Sequence, residues 1–275
     1  MMEKEEITII KPKKGIFELG LKELFKFKEL FWALAMKEIK VRYKQTALGG
    51  LWAILQPLIT MIVFTVFFGN VVKIPSDNIP YALFSYSGLL IWTYFSTAIS
   101  SASLSTVANS QLISKVYFPR LIIPFSTTIV GLLDYVIAFI IIFGLMYYYN
   151  FVPSILILLV PIVLFFTWML SAGMGFWFSA INVKYRDMKY AIPFFIRTLI
   201  FVTPVIYPVS ITGNYKWILM LNPMSGFVEA HRSMILGHQP IDWMLFGISV
   251  VSTIIIFISG IIYFKSVEKK FADII

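Results

Sequence analysis

Cysteine is missing from this sequence altogether, which excludes disulfide bonds, thiolate metal sites and cysteine nucleophiles. Charged residues are scarce, at 13% of the chain, against roughly 25% in soluble domains. The phosphate-binding pattern GxxxxGK[ST] does not occur, so the sequence predicts no ATP hydrolysis by that route. No serine stands in a nucleophile elbow, and hydrolase chemistry therefore has no support.

The sequence contains long runs without any charged residue. Hydrophobic residues make up 59% of the chain, and no charge stands between Lys44 and Lys73. A helix needs about 20 apolar residues to cross a bilayer, and a run without a charged face cannot meet water. The sequence therefore predicts an all-α integral membrane protein with six transmembrane helices. Their expected ranges are 48–68, 81–104, 121–149, 154–181, 190–209 and 243–264.

Basic residues are distributed unevenly around these six segments. An even number of crossings puts both termini on one side, and that side collects 20 of the 23 lysines and arginines. Only Lys73, Lys216 and Arg232 fall on the other side. The positive-inside rule therefore predicts a multi-pass protein of the cell inner membrane with both termini in the cytoplasm. Because the basic residues follow topology and form no patch, nucleic-acid binding is not expected.

Residues 1–46 are predicted to form a cytoplasmic arm ahead of a transmembrane domain at 47–275. Within the arm, charges recur along one helical stripe and aromatic and aliphatic residues fill the opposite side. This pattern is typical of an amphipathic interface helix lying on the cytoplasmic membrane surface. A plain anchor and a partner-docking helix are both open. The residues singled out are Phe25, Phe31, Trp32, Lys37 and Arg42.

The connection between the second and third segments, TVANSQLISKVYFPR, is polar but carries an apolar centre. An apolar knob on the cytoplasmic side indicates a short helix that docks into another protein. A cytoplasmic extension of the second segment is the alternative. The candidate docking residues are Asn109, Leu112, Ile113, Lys115, Tyr117 and Phe118.

The stretch from residue 203 to 242 is rich in proline and glycine, and its apolar runs are too short to span. It predicts two short helices broken at Asn222–Pro223. Non-helical backbone at membrane depth survives only inside protein or beside a water-filled cavity. We therefore expect an external re-entrant helical hairpin between the fifth and sixth segments, with a helix resting on the outer leaflet as the alternative.

Few side chains inside the predicted spans could carry chemistry. Asp134 is the one acidic residue in a clear span, and an intramembrane carboxylate predicts a partner, here Arg197 or Arg120. His231 and His238 give only a weak metal signal, and no metal site is predicted. Ser171, Gly173 and Gly175 are expected to allow close helix packing.

Aromatic residues make up 17% of the chain, and some rings fall deep in the spans. Aromatic faces stack on the apolar faces of sugar rings, so such rings could line a tunnel for a glycan. Packing against lipid is the alternative for any single ring.

Three segments carry a family resemblance. KEIKVRYKQTALGGLWAILQPL resembles the start of the first span in ABC-2 type permeases that export polysaccharides. FWFSAINVKYRDMKYAIPFFIRTLIFVTPVIYP resembles their fourth-to-fifth loop and fifth span, and LNPMSGFVEAHR resembles their external segment. The resemblance implies a non-enzymatic transport subunit that moves undecaprenyl-linked polysaccharide across the inner membrane. O-antigen is the first candidate for that polysaccharide. Teichoic acid or capsular polysaccharide export is the alternative within the class, and a proton-coupled lipid flippase using Asp134 is the alternative outside it.

The same resemblance implies partners and roles. The permease would be a homodimer with two copies of an ATPase subunit, which binds ATP and Mg, so that this chain binds no cofactor. The docking residues named above would couple to the ATPase. The translocation path would include Trp52, Gln56, Thr60, Phe64, Phe67, Arg197 and Tyr207. The external gate would include Asn222, Pro223, Gly226, Glu229 and Arg232.

Overall fold

The computed structural model describes residues 26–44, 49–185, 187–237, 239–269 and 271, and this part of the chain holds ten α-helices and no strand. The all-helical prediction is confirmed. In chain order the helices are α1 (Lys28–Lys44), α2 (Leu51–Phe64), α3 (Tyr81–Ala108), α4 (Ser110–Lys115), α5 (Ile122–Tyr148), α6 (Val160–Lys184), α7 (Met188–Val202), α8 (Lys216–Met220), α9 (Pro223–Leu236) and α10 (Trp243–Glu268).

Within the described ranges, five helical segments are long and apolar enough to cross a membrane. The first span, Leu51–Val71, joins α2 to a π-helical turn at Thr65–Val71. The others are α3, α5, α10 and the segment Ile155–Lys184, in which a 3₁₀ turn leads into α6. Each coincides within a few residues with one of the predicted segments, so the chain is a multi-pass membrane protein.

The predicted segment 190–209 corresponds to α7, which ends at Val202. Its 15 residues extend about 22 Å at the α-helical rise of about 1.5 Å per residue. A bilayer core is roughly 30 Å thick. Thr203 is extended, with φ −96° and ψ 138°, because the residue before a proline is disfavoured in the helical region. The expected range is therefore corrected at its end.

Helix α3 lies at the centre of the bundle and packs against α2, α5, α6, α7 and α9. Small residues allow close approaches between helices of the bundle. A Cβ atom on Gly173 would lie 2.7 Å from the Cα of Phe257 on α10, and one on Gly175 would lie 2.7 Å from Ala102 on α3. The predicted role of these glycines in close helix packing is confirmed.

The bundle has two distinguishable ends. One end, called the arm end because the arm helix α1 lies there, is where Arg120 donates a hydrogen bond to the carbonyl oxygen of Glu268. At the far end, the hydroxyl of Tyr81 donates to the carbonyl oxygen of Ile206 at 2.8 Å, and the backbone N–H of Ser154 donates to Ile235 at 3.1 Å. Helix α7 therefore starts beside the C-terminus of α6 at the arm end, and its continuation reaches the far end.

Candidate functional site

The arm helix α1 packs along the first half of α5. Leu34 is buried there, and the ring of Phe31 lies 5.5 Å from that of Phe125, centroid to centroid. Trp32 is 53% exposed, so part of the apolar side of α1 faces outward. Lys37 Nζ donates to Asn109 Oδ1 at 3.0 Å, which ties α1 to the loop before α4. Phe25 lies outside the described residues.

Helix α4 turns its apolar centre into the chain itself. Ile113 and Phe118 are each 4% exposed and pack in one cluster with Leu34. Leu112 is half-buried against the same cluster. The expectation that these apolar side chains form an exposed knob is therefore wrong, because the arm helix and the ends of α5, α6 and α10 already cover them. Lys115, Val116 and Tyr117 are exposed instead.

Asp134 has partners that the sequence did not predict. Arg42 Nη2 lies 2.6 Å from Asp134 Oδ2, and the hydroxyl of Tyr43 donates to Asp134 Oδ1. The predicted partners are wrong: Arg120 bonds to a backbone carbonyl, and Arg197 is exposed on α7. The physical reason is the packing of α1 along α5, which brings the end of α1 to the middle of α5. A partly buried carboxylate is thereby paired and hydrogen-bonded.

A cavity of about 200 Å³ lies beside this ion pair. It is bounded by α1, α2, α3 and α5. Trp52 and Gln56, both predicted path residues, line it together with Asp134. The cavity therefore joins the ion pair to the first span.

The far end is locked by Arg232 of α9, which is 4% exposed. Its guanidinium lies 3.0 Å from Glu229 Oε2 and donates to the carbonyl oxygen of Pro204 at 2.8 Å. It also donates to the carbonyl oxygen of Phe84 at 3.3 Å and stacks over the Phe84 ring at 3.7 Å from the centroid. One buried cation thus joins α9, α3 and the segment after α7.

The break between α8 and α9 falls at Leu221–Asn222, which confirms the prediction of two short helices broken at Asn222–Pro223. The Asn222 side chain caps α9 by accepting from the N–H of Met224 at 3.1 Å and donates to Thr203 Oγ1 at 2.8 Å. Every residue of α9 from Met224 to Leu236 is buried. A helix resting on lipid would expose one face, so α9 is inserted among the bundle helices.

Asp242 and Lys216 form an ion pair at the start of α10, near the same end. Burial acts to raise the pKa of Asp242. The hydrogen bonds from Lys216 and from the backbone N–H of Leu245 outweigh it and hold that pKa below its ordinary value. This ion pair joins the start of α8 to the start of α10 at the surface of the bundle.

His231 is buried, and its Nε2 shares a 2.6 Å hydrogen bond with the hydroxyl of Tyr135. His238 lies outside the described residues. Among the residues that are described, no three His, Asp or Glu side chains group as metal ligands would. His231 thus joins α9 to α5.

The predicted path residues do not meet inside one chain. Trp52, Gln56, Phe67 and Arg197 are exposed, and Thr60, Phe64 and Tyr207 are half-buried. They lie on α2, the π turn, α7 and the segment after it. Their exposed members face outward from the single chain. Any path built from them needs a second surface opposite.

Three pairings escaped sequence reasoning: Asp134 with Arg42, Asp134 with Tyr43, and Tyr135 with His231. The partners stand 92, 91 and 96 residues apart, so no local spacing signals them. The only signal available was chemical, since a buried carboxylate and a buried imidazole both need partners.

Residues 29–236 match the family described as ABC-2 type transporter. The chain therefore belongs to this family: it is a membrane permease domain, which serves as a transport subunit. Membership implies pairing with an ATPase subunit.

Individual relatives cover nearly the whole chain. It is 28% identical over 257 residues to the O-antigen export system permease protein RfbA of Myxococcus xanthus. The aligned region covers 92% of this chain and 98% of that protein. The chain is 27% identical over 249 residues to the protein of the same name from Klebsiella pneumoniae, with 90% and 95% covered. The polysialic acid transport protein KpsM of Escherichia coli is 23% identical over 250 residues, with 86% and 93% covered.

Proposed function

We propose that this chain is the permease of an ATP-driven exporter that moves lipid-linked polysaccharide across the inner membrane. O-antigen is the first candidate for that polysaccharide. The observation that carries the proposal is the end-to-end similarity to O-antigen export permeases, which leaves almost no part of either chain unmatched. The buried insertion of α9 and the outward-facing α2 and α7 agree with a transport role.

The proposed topology has six crossings and cytoplasmic termini. Helix α7 begins at the arm end, and its continuation at Pro204 bonds to Arg232 at the far end. The short helix and the turn residues after it thus make the fifth of the six crossings together. The positive-inside distribution then puts the arm end in the cytoplasm and the α8–α9 hairpin outside.

The proposed assembly is a homodimer with two ATPase subunits, which hold ATP and Mg. Support comes from the large exposed side chains on the two helices that carry the predicted path. Trp52 is 52% exposed, Phe67 58% and Phe194 73%. A second copy facing α2 and α7 would close a path lined by aromatic rings, suited to sugar faces.

The ATPase would bind at the arm end through the exposed face of α4 and the residues after it. Tyr117 is 77% exposed and Val116 52% exposed, whereas Ile113 is buried. We therefore expect Tyr117→Ala with Val116→Ala to weaken ATPase co-purification at unchanged permease level. The control Ser114→Ala, on an exposed residue of α4, leaves co-purification intact. Equal recovery of ATPase with the double variant and the control would contradict this docking surface.

The function is tested by deleting the gene in its native cell and locating lipid-linked glycan on either side of the inner membrane. Full-length polymer should accumulate on the cytoplasmic side, and the plasmid-borne gene should restore export. Unchanged surface glycan without accumulation would overturn polysaccharide export. The sugars that accumulate identify the substrate.

Capsular polysaccharide is the second candidate, because KpsM also matches over most of both chains; teichoic acid is a third polymer of the same class. The sugars recovered from the deletion strain separate these polymers. Proton coupling through Asp134 gains no support, since both carboxylate oxygens are engaged by Arg42 and Tyr43.

A further inference from the structure

The cavity beside Asp134 reaches from the interior of the chain to the outward face of α2. Its walls come from four helices: the end of α1, the start of α2, and the middles of α3 and α5. Trp52 and Gln56 of α2 line it and are also exposed, so the cavity opens toward the proposed path. A ligand on the path could therefore reach it sideways.

The charges around this cavity balance. Arg42 and Asp134 are the only ionisable side chains of opposite sign among its described lining residues, and they pair with each other. A phosphate would have to compete with Asp134 for Arg42, and a cation would have to compete with Arg42 for Asp134. Because a paired charge of this kind is costly to separate, a neutral ligand fits the cavity best.

The remaining lining mixes apolar and hydrogen-bonding groups. The rings of Trp52 and Tyr94 offer apolar faces, and Gln56, Thr93 and Thr97 offer amide and hydroxyl groups. The Thr97 hydroxyl donates to the carbonyl oxygen of Thr93 at 2.8 Å and keeps acceptor capacity. Small-molecule sites generally combine aromatic walls with a few polar groups in this way.

From this lining we propose that the cavity between α1, α2, α3 and α5 binds one neutral sugar ring of the transported glycan. A sugar ring has apolar faces for Trp52 and Tyr94 and a rim of hydroxyls for Gln56, Thr93 and Thr97. A lipid tail could not use the amide of Gln56 or the remaining acceptor capacity of Thr97. The inference rests on the proposed function, since it takes the cargo to be a glycan.

The ion pair gives this site a further property. Asp134 holds the arm helix through Arg42 and Tyr43, and the next residue, Tyr135, both lines the cavity and bonds to His231 of α9. A sugar in the cavity therefore touches α5 at the point where the arm helix and the inserted helix are both attached.

The test is photocrosslinking in native cells that contain the complete exporter, so that the cell supplies its own glycan. A diazirine-bearing amino acid of leucine size replaces Leu90, an apolar residue that lines the cavity, Phe67 on the proposed path, or Ile140, which is 64% exposed on α5. After illumination the permease is purified, and its adducts are identified by mass spectrometry. Only variants that restore export to a deletion strain are scored, and the probe moves from Leu90 to Ala138, which also lines the cavity, if the first variant fails.

Glycan adducts are expected at the Leu90 position and at Phe67, and phospholipid adducts at Ile140. In the Leu90 probe strain, Gln56→Leu should lower the glycan adduct by about tenfold, because one polar contact to the sugar is lost. The matched control Ile59→Leu, on an exposed residue of the same helix, should leave the adduct unchanged.

Two results would overturn the site. Phospholipid alone at Leu90 would assign the cavity to a lipid, and equal glycan yield with Gln56→Leu and Ile59→Leu would remove the polar recognition. Glycan at Phe67 in either case leaves the proposed function standing. No glycan at any position, with unchanged surface glycan in the deletion strain, overturns the function and the site together.

Discussion

Helix α3 and the first span, Leu51–Val71, differ in a way that reverses the rule of soluble proteins. Of the most apolar stretch of α3, 83% is buried inside the protein, against 11% of the corresponding stretch of the first span. Yet α3 is the more polar of the two, with many serines and threonines. Lipid tails are as apolar as leucine, so apolarity gives no reason to face inward. Small and polar residues therefore collect where helices pack.

The polar interior is also where single changes should matter most. Buried hydroxyls on α3 bond to their own helix or to neighbours, as Thr106 does with Ser179 of α6. The inserted helix α9 adds a buried ion pair to that interior. On the first span, most side chains face outward from the single chain, so substitutions there remove few contacts within it. The predictions below test this contrast from the largest expected effect to the smallest.

The largest effect is expected for Arg232→Met at the far end. It removes the partner of buried Glu229 and three hydrogen bonds to backbone carbonyls. The free energy of unfolding should fall by about 3–5 kcal/mol, since an uncompensated buried charge remains. Unfolding of the purified chain in increasing fractions of a denaturing detergent measures it.

Two controls accompany that variant. Arg197→Met removes an exposed arginine from α7 and should stay within about 0.5 kcal/mol. Arg232→Met combined with Glu229→Gln should recover part of the loss, because the stranded charge is gone. If Arg232→Met were no worse than Arg197→Met, the lock at the far end would carry no stability.

The second effect concerns Gly226→Ala in the inserted helix. A Cβ there would lie 2.6 Å from the carbonyl oxygen of Leu245 and collide with the Ser249 hydroxyl. Separation of α9 from α10 should cost about 1–3 kcal/mol, the usual range for overpacking. Export should fall with it if α9 gates the path.

The matched control is Gly247→Ala on α10, where nothing lies within 4 Å of the added Cβ. That change should be neutral or stabilising by up to about 1 kcal/mol, because alanine is the better helix former. Equal stability of the two variants would mean that α9 and α10 separate without cost, and the tight insertion of α9 would be wrong.

The third prediction applies one substitution to both helices of the comparison. Ile91 of α3 is fully buried, whereas Ile59 of the first span is 52% exposed. Ile91→Val should lower the free energy of unfolding by about 0.5–1.5 kcal/mol, the cost of one buried methylene and its cavity. Ile59→Val should change it by less than about 0.5 kcal/mol. A larger loss at Ile59 would show that this face packs against protein, as in a dimer.

Sequence reasoning succeeded where the signal lies along the chain. Apolar length located the spans, and the asparagine–proline pair at 222–223 located the break before α9, because a capping side chain and a residue without an N–H both favour a helix start there. The family resemblance rested on motifs of the same local kind and was confirmed.

It failed where the structure depends on which helix surfaces contact each other. Hydropathy cannot tell lipid from protein interior, so Ile113 and Phe118 were predicted to be exposed although the arm helix covers them. The partner of Asp134 comes from a helix 92 residues earlier in the chain, which no spacing rule reaches. The early end of α7 depends on Thr203 preceding Pro204, a local effect hidden inside an apolar run.

The smallest effect is expected for the hydrogen bond between Thr106 of α3 and Ser179 of α6. A double-mutant cycle of Thr106→Val and Ser179→Ala isolates it. The coupling energy should be about 0.6 kcal/mol, the average for such bonds between membrane helices, because the unfolded chain in a micelle also finds partners for both hydroxyls. A coupling several times larger would mean that polar contacts hold α3 in the centre of the bundle. A coupling near zero would leave close packing of small residues, as at Gly175 against Ala102, as the reason that this more polar helix is the buried one.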